Sequence, residues 1–167
     1  MLRYIFIFVL FISSFSVAAS ISPRTYNLLN DIQEQVAQQP DAEKTKQLNS
    51  ELQELAEDLS GNSLGLALTY QTHAQLKTYE QKESEAQALL RKALALPNLK
   101  NDTSSQLRSI LAYSYFNQGD YQSAIEQLKI IINKFEKPSA NIYALLANYP
   151  KHPKKPGFKW LFQVIIK

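Results

Sequence analysis

The chain has 167 residues, enough for one modest domain with its own core, and its 45% apolar content is that of a globular protein. It has no cysteine, which excludes disulfides, thiolate metal sites, cysteine nucleophiles and lipid attachment through an N-terminal cysteine. The net charge of +3 is uneven: residues 20–149 carry twelve Lys/Arg against fifteen Asp/Glu, and residues 150–167 carry five Lys and no acid, so the basicity belongs to the tail rather than to a nucleic-acid-binding face.

Residues 1–19 read as a signal peptide. Arg3 supplies the positive start, Tyr4 to Ile12 is an unbroken apolar run, and Val17-Ala18-Ala19 fits a small-x-small cleavage rule. Cleavage after Ala19 and export to the periplasm are expected. The competing reading is an uncleaved anchor, for which the run is short against the roughly 20 residues of a membrane span.

The mature region then reads as helices in pairs. Ser22 can cap a first helix, with Pro23 at its opening position and Tyr26, Leu29, Ile32, Gln33 and Val36 along one side. Pro40-Asp41 breaks it and starts a second, in which Leu48, Leu52, Leu55 and Leu59 form an apolar stripe. Gly61-Asn62-Ser63 ends that pair. A third helix is expected from about Leu64 to Tyr79 and a fourth from about Ser84 to Leu96, where Pro97 stops it. Thr103 and Gln106 have capping-box spacing and are expected to open a fifth helix, along which Leu107, Ile110, Leu111 and Tyr115 recur. Gly119 can supply a positive φ for the next turn and Asp120 can cap a sixth helix carrying Tyr121, Ala124, Ile125, Leu128, Ile131 and Ile132. Ser139 can cap one further helix.

These helices repeat in one register. Leu52, Leu90 and Leu128 are 38 residues apart, as are Leu55, Ala93 and Ile131. Ala56, Leu94 and Ile132 keep the step, and so do Leu48, Ala86 and Ala124, and Val36, Ala74 and Ala112. Five apolar or small columns in phase predict an all-α helix-pair solenoid over residues 20–149, with three pairs and an incomplete fourth. An exposed flank at Ile131 and Ile132, short of a stacking neighbour, is expected from that incompleteness.

Ala112, Tyr115, Gly119-Asp120-Tyr121, Ala124-Ile125 and Pro138, with Ala74, Ala86 and Arg91-Lys92-Ala93-Leu94 one step earlier, resemble the tetratricopeptide repeat (TPR) family. The step of 38 exceeds the family's roughly 34, and Arg108 stands where the family's first helix usually has Trp. Ile21 to Tyr26, Gly61 to Tyr70 and Arg91 to Pro97 further resemble exported Gram-negative TPR proteins linked to TonB-type energy transduction. The resemblance implies a right-handed solenoid and a protein-binding scaffold in the cell envelope. By the same analogy the first helix of each pair lines a groove, in which Gln71, Gln75, Gln106, Ser109, Tyr113 and Asn117 would face a protein or peptide partner, with Asn141 and Asn148 beyond.

The chemistry expected is binding, not catalysis. His73 and His152 have no partner at a recognisable spacing, and HExxH and phosphate-loop patterns are absent. The sequence asks for no cofactor and no metal. Gln and Asn both donate and accept, which suits an extended peptide backbone. In residues 150–167, three prolines and four lysines precede or interleave with Phe158, Trp160, Leu161 and Phe162 before the final Lys. This segment has three readings: the product of a truncated or frame-shifted gene, a stretch folded back on the last helix, or a basic-aromatic tail making weak membrane-surface contact, which would make the protein a membrane-peripheral factor.

Overall fold

The computed structural model describes residues 21–134. The expected signal peptide, the helix after Ser139 with Asn141 and Asn148, and the tail at 150–167 lie outside the described residues. Within them the chain is all-α, with six helices and no strand: α1 (Pro23–Ala37), α2 (Ala42–Asp58), α3 (Ser63–Tyr79), α4 (Glu83–Leu94), α5 (Asn101–Asn117) and α6 (Tyr121–Lys134).

The boundaries follow local chemistry. Ser22 Oγ accepts from the Thr25 N–H and Pro23 occupies the first turn of α1. Asp41, Asn62 and Asp120 cap α2, α3 and α6 by accepting from the N–H of Lys44, Gly65 and Ser123. The first helix of each pair ends on a left-handed residue: Gln39 (φ 56), Gln81 (φ 61) and Gly119 (φ 79). After α3 and α5 a double Schellman closure forms, from Gln81 to Thr78 and Lys82 to Lys77, and from Gly119 to Phe116 and Asp120 to Tyr115. After α1 only the inner bond forms, Gln39 to Val36, because Pro40 has no N–H to donate.

Two expected boundaries move. α5 opens at Asn101, not at Thr103, and Lys100 stands at its N-cap with no side-chain bond. The register explains this: Lys100 lies 38 residues after Asn62, the cap of α3, so packing fixes where α5 begins and leaves Thr103 inside its first turn. α4 stops at Leu94 rather than Leu96, since Pro97 disfavours helical geometry at the residue before it.

The 38-residue step governs the packing. α3 and α5 begin at 63 and 101 and end at 79 and 117; α4 and α6 begin at 83 and 121. Each apolar column keeps one degree of burial. Leu52, Leu90 and Leu128 are buried, as are Leu55, Ala93 and Ile131, Leu48, Ala86 and Ala124, and Val36, Ala74 and Ala112. Ala56, Leu94 and Ile132 are all half-buried. The expected exposed flank is therefore corrected at Ile131, which is 0% exposed because it occupies a column that faces inward in every copy.

α3 is the central helix, packing on α1, α2 and α4. It buries residues around much of its circumference, including Thr69 and Thr72. Their hydroxyls donate back to the Gly65 and Leu68 carbonyls, so neither is left unpaired in the interior. Gly65 lets α2 end closely against α3: a Cβ there would lie 3.1 Å from Leu59 Cδ1.

A polar latch also recurs at the same step. Asn49 on α2 donates to Glu80, the C-cap of α3, at 3.2 Å, and Gln87 on α4 donates to Gln118, the C-cap of α5, at 2.9 Å. Each second helix is thereby tied to the end of the following first helix. In the third copy the corresponding position is Ile125, buried and apolar.

Candidate functional site

The α1–α3–α5 side of the fold carries a groove of about 370 Å³, within the roughly 300–1,000 Å³ range of ligand pockets. α1 contributes Tyr26, Leu29, Asn30, Gln33 and Ala37; α3 contributes Leu68, Gln71 and Gln75; α5 contributes Gln106. Five of these nine side chains end in a carboxamide and none carries a charge at neutral pH. The apolar floor at Leu29 is continuous with the core cluster around Leu52 and Leu76.

Of the residues expected to face a partner, Gln71, Gln75 and Gln106 meet in this groove. Ser109, Tyr113 and Asn117 are not part of its lining. Ser109 turns its hydroxyl back to the Ser105 carbonyl of its own helix. Tyr113 is 56% exposed, and Asn117 is exposed at the last residue of α5. Asn141 and Asn148 lie outside the described residues. Tyr26, Asn30 and Gln33 on α1 were missed. The register held the signal for two of them: Gln33 is one step of 38 before Gln71, and Asn30 is two steps before Gln106.

The groove amides differ in what they already bond. Gln33 donates to Thr72 Oγ1 at 3.1 Å, bridging α1 to α3. Asn30, Gln71, Gln75 and Gln106 make no side-chain hydrogen bond among the described residues. Gln71 stands apart because it is also buried, at 6% exposure. Tyr26, at 52% exposure, presents an aromatic surface at the groove.

His73 lies outside the groove lining, in a separate polar cluster. Its Nε2 is 2.9 Å from Asn49 Oδ1, and Asn49 donates in turn to Thr45 and Glu80. Burial, reinforced by Lys77, lowers the His73 pKa from 6.5 to about 4, so the ring is neutral near pH 7. Burial acts against the Glu80 charge, but hydrogen bonds from Lys82, Lys77 and Asn49 outweigh it and hold the carboxyl down at about 2. Glu80 forms ion pairs with Lys77 at 3.0 Å and Lys82 at 2.9 Å. The cluster joins α2, α3 and the start of α4. Its groups are spent on one another, which marks it as a structural tie.

Among the described residues no group of three or more His, Asp or Glu side chains is placed to hold a metal ion. No helix among them is long and apolar enough to cross a membrane. Comparison of the chain with protein-family models, curated proteins and solved structures gave no match.

Proposed function

We propose that this chain is an exported, periplasmic scaffold of the tetratricopeptide type, a helix-pair solenoid that binds an extended segment of another protein in the α1–α3–α5 groove. The observation that carries the reading is the convergence of Asn30, Gln71, Gln75 and Gln106, amides without a side-chain partner among the described residues, on one groove built from the first helix of each pair. An extended peptide offers one N–H and one C=O per residue, and carboxamides can satisfy both. A groove set on packed helices is preformed, so little binding energy goes into ordering it. The 38-residue register, with the same columns buried in each copy, supports the solenoid reading.

The envelope location rests on the N-terminal signal pattern. A TonB-type energy-transducing complex, as partner class, rests on the sequence resemblance. The test is capture from envelope extracts by the mature protein and by its Gln75→Ala and Gln106→Ala variants. Both residues are exposed, so the variants should melt like the parent yet lose the captured partner. Full retention by both would refute the groove as the binding surface.

A further inference from the structure

We propose that the groove selects an extended stretch free of charged side chains through its uncharged lining, and that Gln71 anchors that stretch by pairing with one of its main-chain peptide groups. The inference rests on the peptide-binding reading above. Three observations carry it.

Gln71 is 94% buried by its 6% exposure, yet its carboxamide has no hydrogen-bond partner among the described residues. No buried side-chain nitrogen or oxygen atom in the described region is both sealed from solvent and unpaired. The Gln71 amide therefore keeps contact with solvent, and it does so at the groove it lines. An occupant's peptide group can take the place of that solvent at the amide.

The register supplies an internal comparison. Gln33 and Ser109 occupy the equivalent positions one step before and one step after Gln71. Gln33 donates to Thr72, and Ser109 donates to Ser105. Only the central member of this column has its side-chain polar group uncommitted. It can place Nε2 as donor to an occupant's carbonyl and Oε1 as acceptor from the same strand's N–H, the pairing a neighbouring strand would make.

The lining itself sets the charge preference. With no ionic group among its nine residues, the groove offers a buried ammonium or carboxylate no counter-charge. Such a side chain would lose water without gaining a partner, whereas a main-chain amide or a Ser, Asn or Ala side chain would not.

The probe is a phage-displayed library of random heptapeptides, panned on the mature protein. Enriched sequences should be depleted of Asp, Glu, Lys and Arg at their central positions. An enriched peptide, synthesised with blocked termini, should bind about tenfold more weakly to Gln71→Leu, which keeps the side chain's bulk and loses both polar atoms. Gln71→Glu should shift the preference toward a version of that peptide with a central Lys, a change that a merely structural role would not produce. Thermal midpoints of both variants identify any loss of fold. Enriched peptides that carry charge freely would overturn the selectivity, and peptides that bind a folded Gln71→Leu as tightly as the parent would overturn the Gln71 anchor; either result leaves peptide binding standing. Failure of any peptide to enrich would overturn the peptide-binding reading itself.

Discussion

Gln81 and Gly119 occupy the same position in successive copies, and both adopt the left-handed conformation, at φ 61 and φ 79. An L side chain there costs roughly 1–2 kcal/mol, and glycine gives back about 0.5–1 kcal/mol through the greater freedom of its unfolded chain. Gln81 is exposed and its side chain makes no hydrogen bond among the described residues, so truncating it removes little else. Gln81→Gly should therefore stabilise the protein by about 0.5–1 kcal/mol, raising Tm by a few degrees for a domain of this size. A Cβ added at Gly119 would meet nothing within 4 Å, so Gly119→Ala tests the backbone alone. It should destabilise by about the same amount. Urea melts monitored by circular dichroism measure both. A destabilised Gln81→Gly, or a neutral Gly119→Ala, would refute the assignment of strain to this turn.

Three further outcomes are expected. Lys100→Asn places at the head of α5 the residue type that caps α3 one step earlier; it should add roughly 0.5–2 kcal/mol in the same melts. Leu128→Ala removes a side chain that is 4% exposed and should cost roughly 2–5 kcal/mol; a near-neutral change would contradict its place in the core. Acidification should destabilise the fold in two windows. The folded His73 pKa of about 4 lies below the ordinary 6.5, so the unfolded chain binds more protons between them and stability falls as pH drops through that range. Glu80, held at about 2 against an ordinary 4.5, gives a second loss below pH 4.5. Urea midpoints across pH 7 to 4 should be flatter for His73→Gln than for the parent.

The 38-residue step was legible in the sequence because burial of a helical face demands apolar residues at fixed intervals, and Leu48, Leu52, Leu55 and their equivalents keep those intervals wherever stacking repeats. The caps at Ser22 and Asp120 were legible for a local reason: a side-chain oxygen at the right offset meets a free N–H. Gln71, Gln75 and Gln106, expected on a common face from the helices they sit on, line one groove. The register would have led on to Gln33 and Asn30, because a groove crossing three first helices repeats at the step of the helices.

Tertiary structure alone decided what local pattern could not. Thr103 and Gln106 have the spacing of a capping box, yet the N-cap of α5 is Lys100, three residues earlier and without a side-chain bond, because the register of α5 against α4 is worth more than one cap. Asn49 with Glu80, and Gln87 with Gln118, lie 31 residues apart in sequence and meet only when a second helix lies against the end of the next first helix. Sequence likewise could not separate Gln33, Gln71 and Ser109, three polar residues in one column. Packing sets Thr72 beside Gln33 and opens the groove at Gln71, while Ser109 bonds the Ser105 carbonyl of its own helix. Sequence determined the helices and their repeat, since those follow from chemistry within a few residues. Packing determined which polar groups face one another and which remain for a partner, since a hydrogen bond needs two groups within about 3 Å and only the folded chain sets that distance.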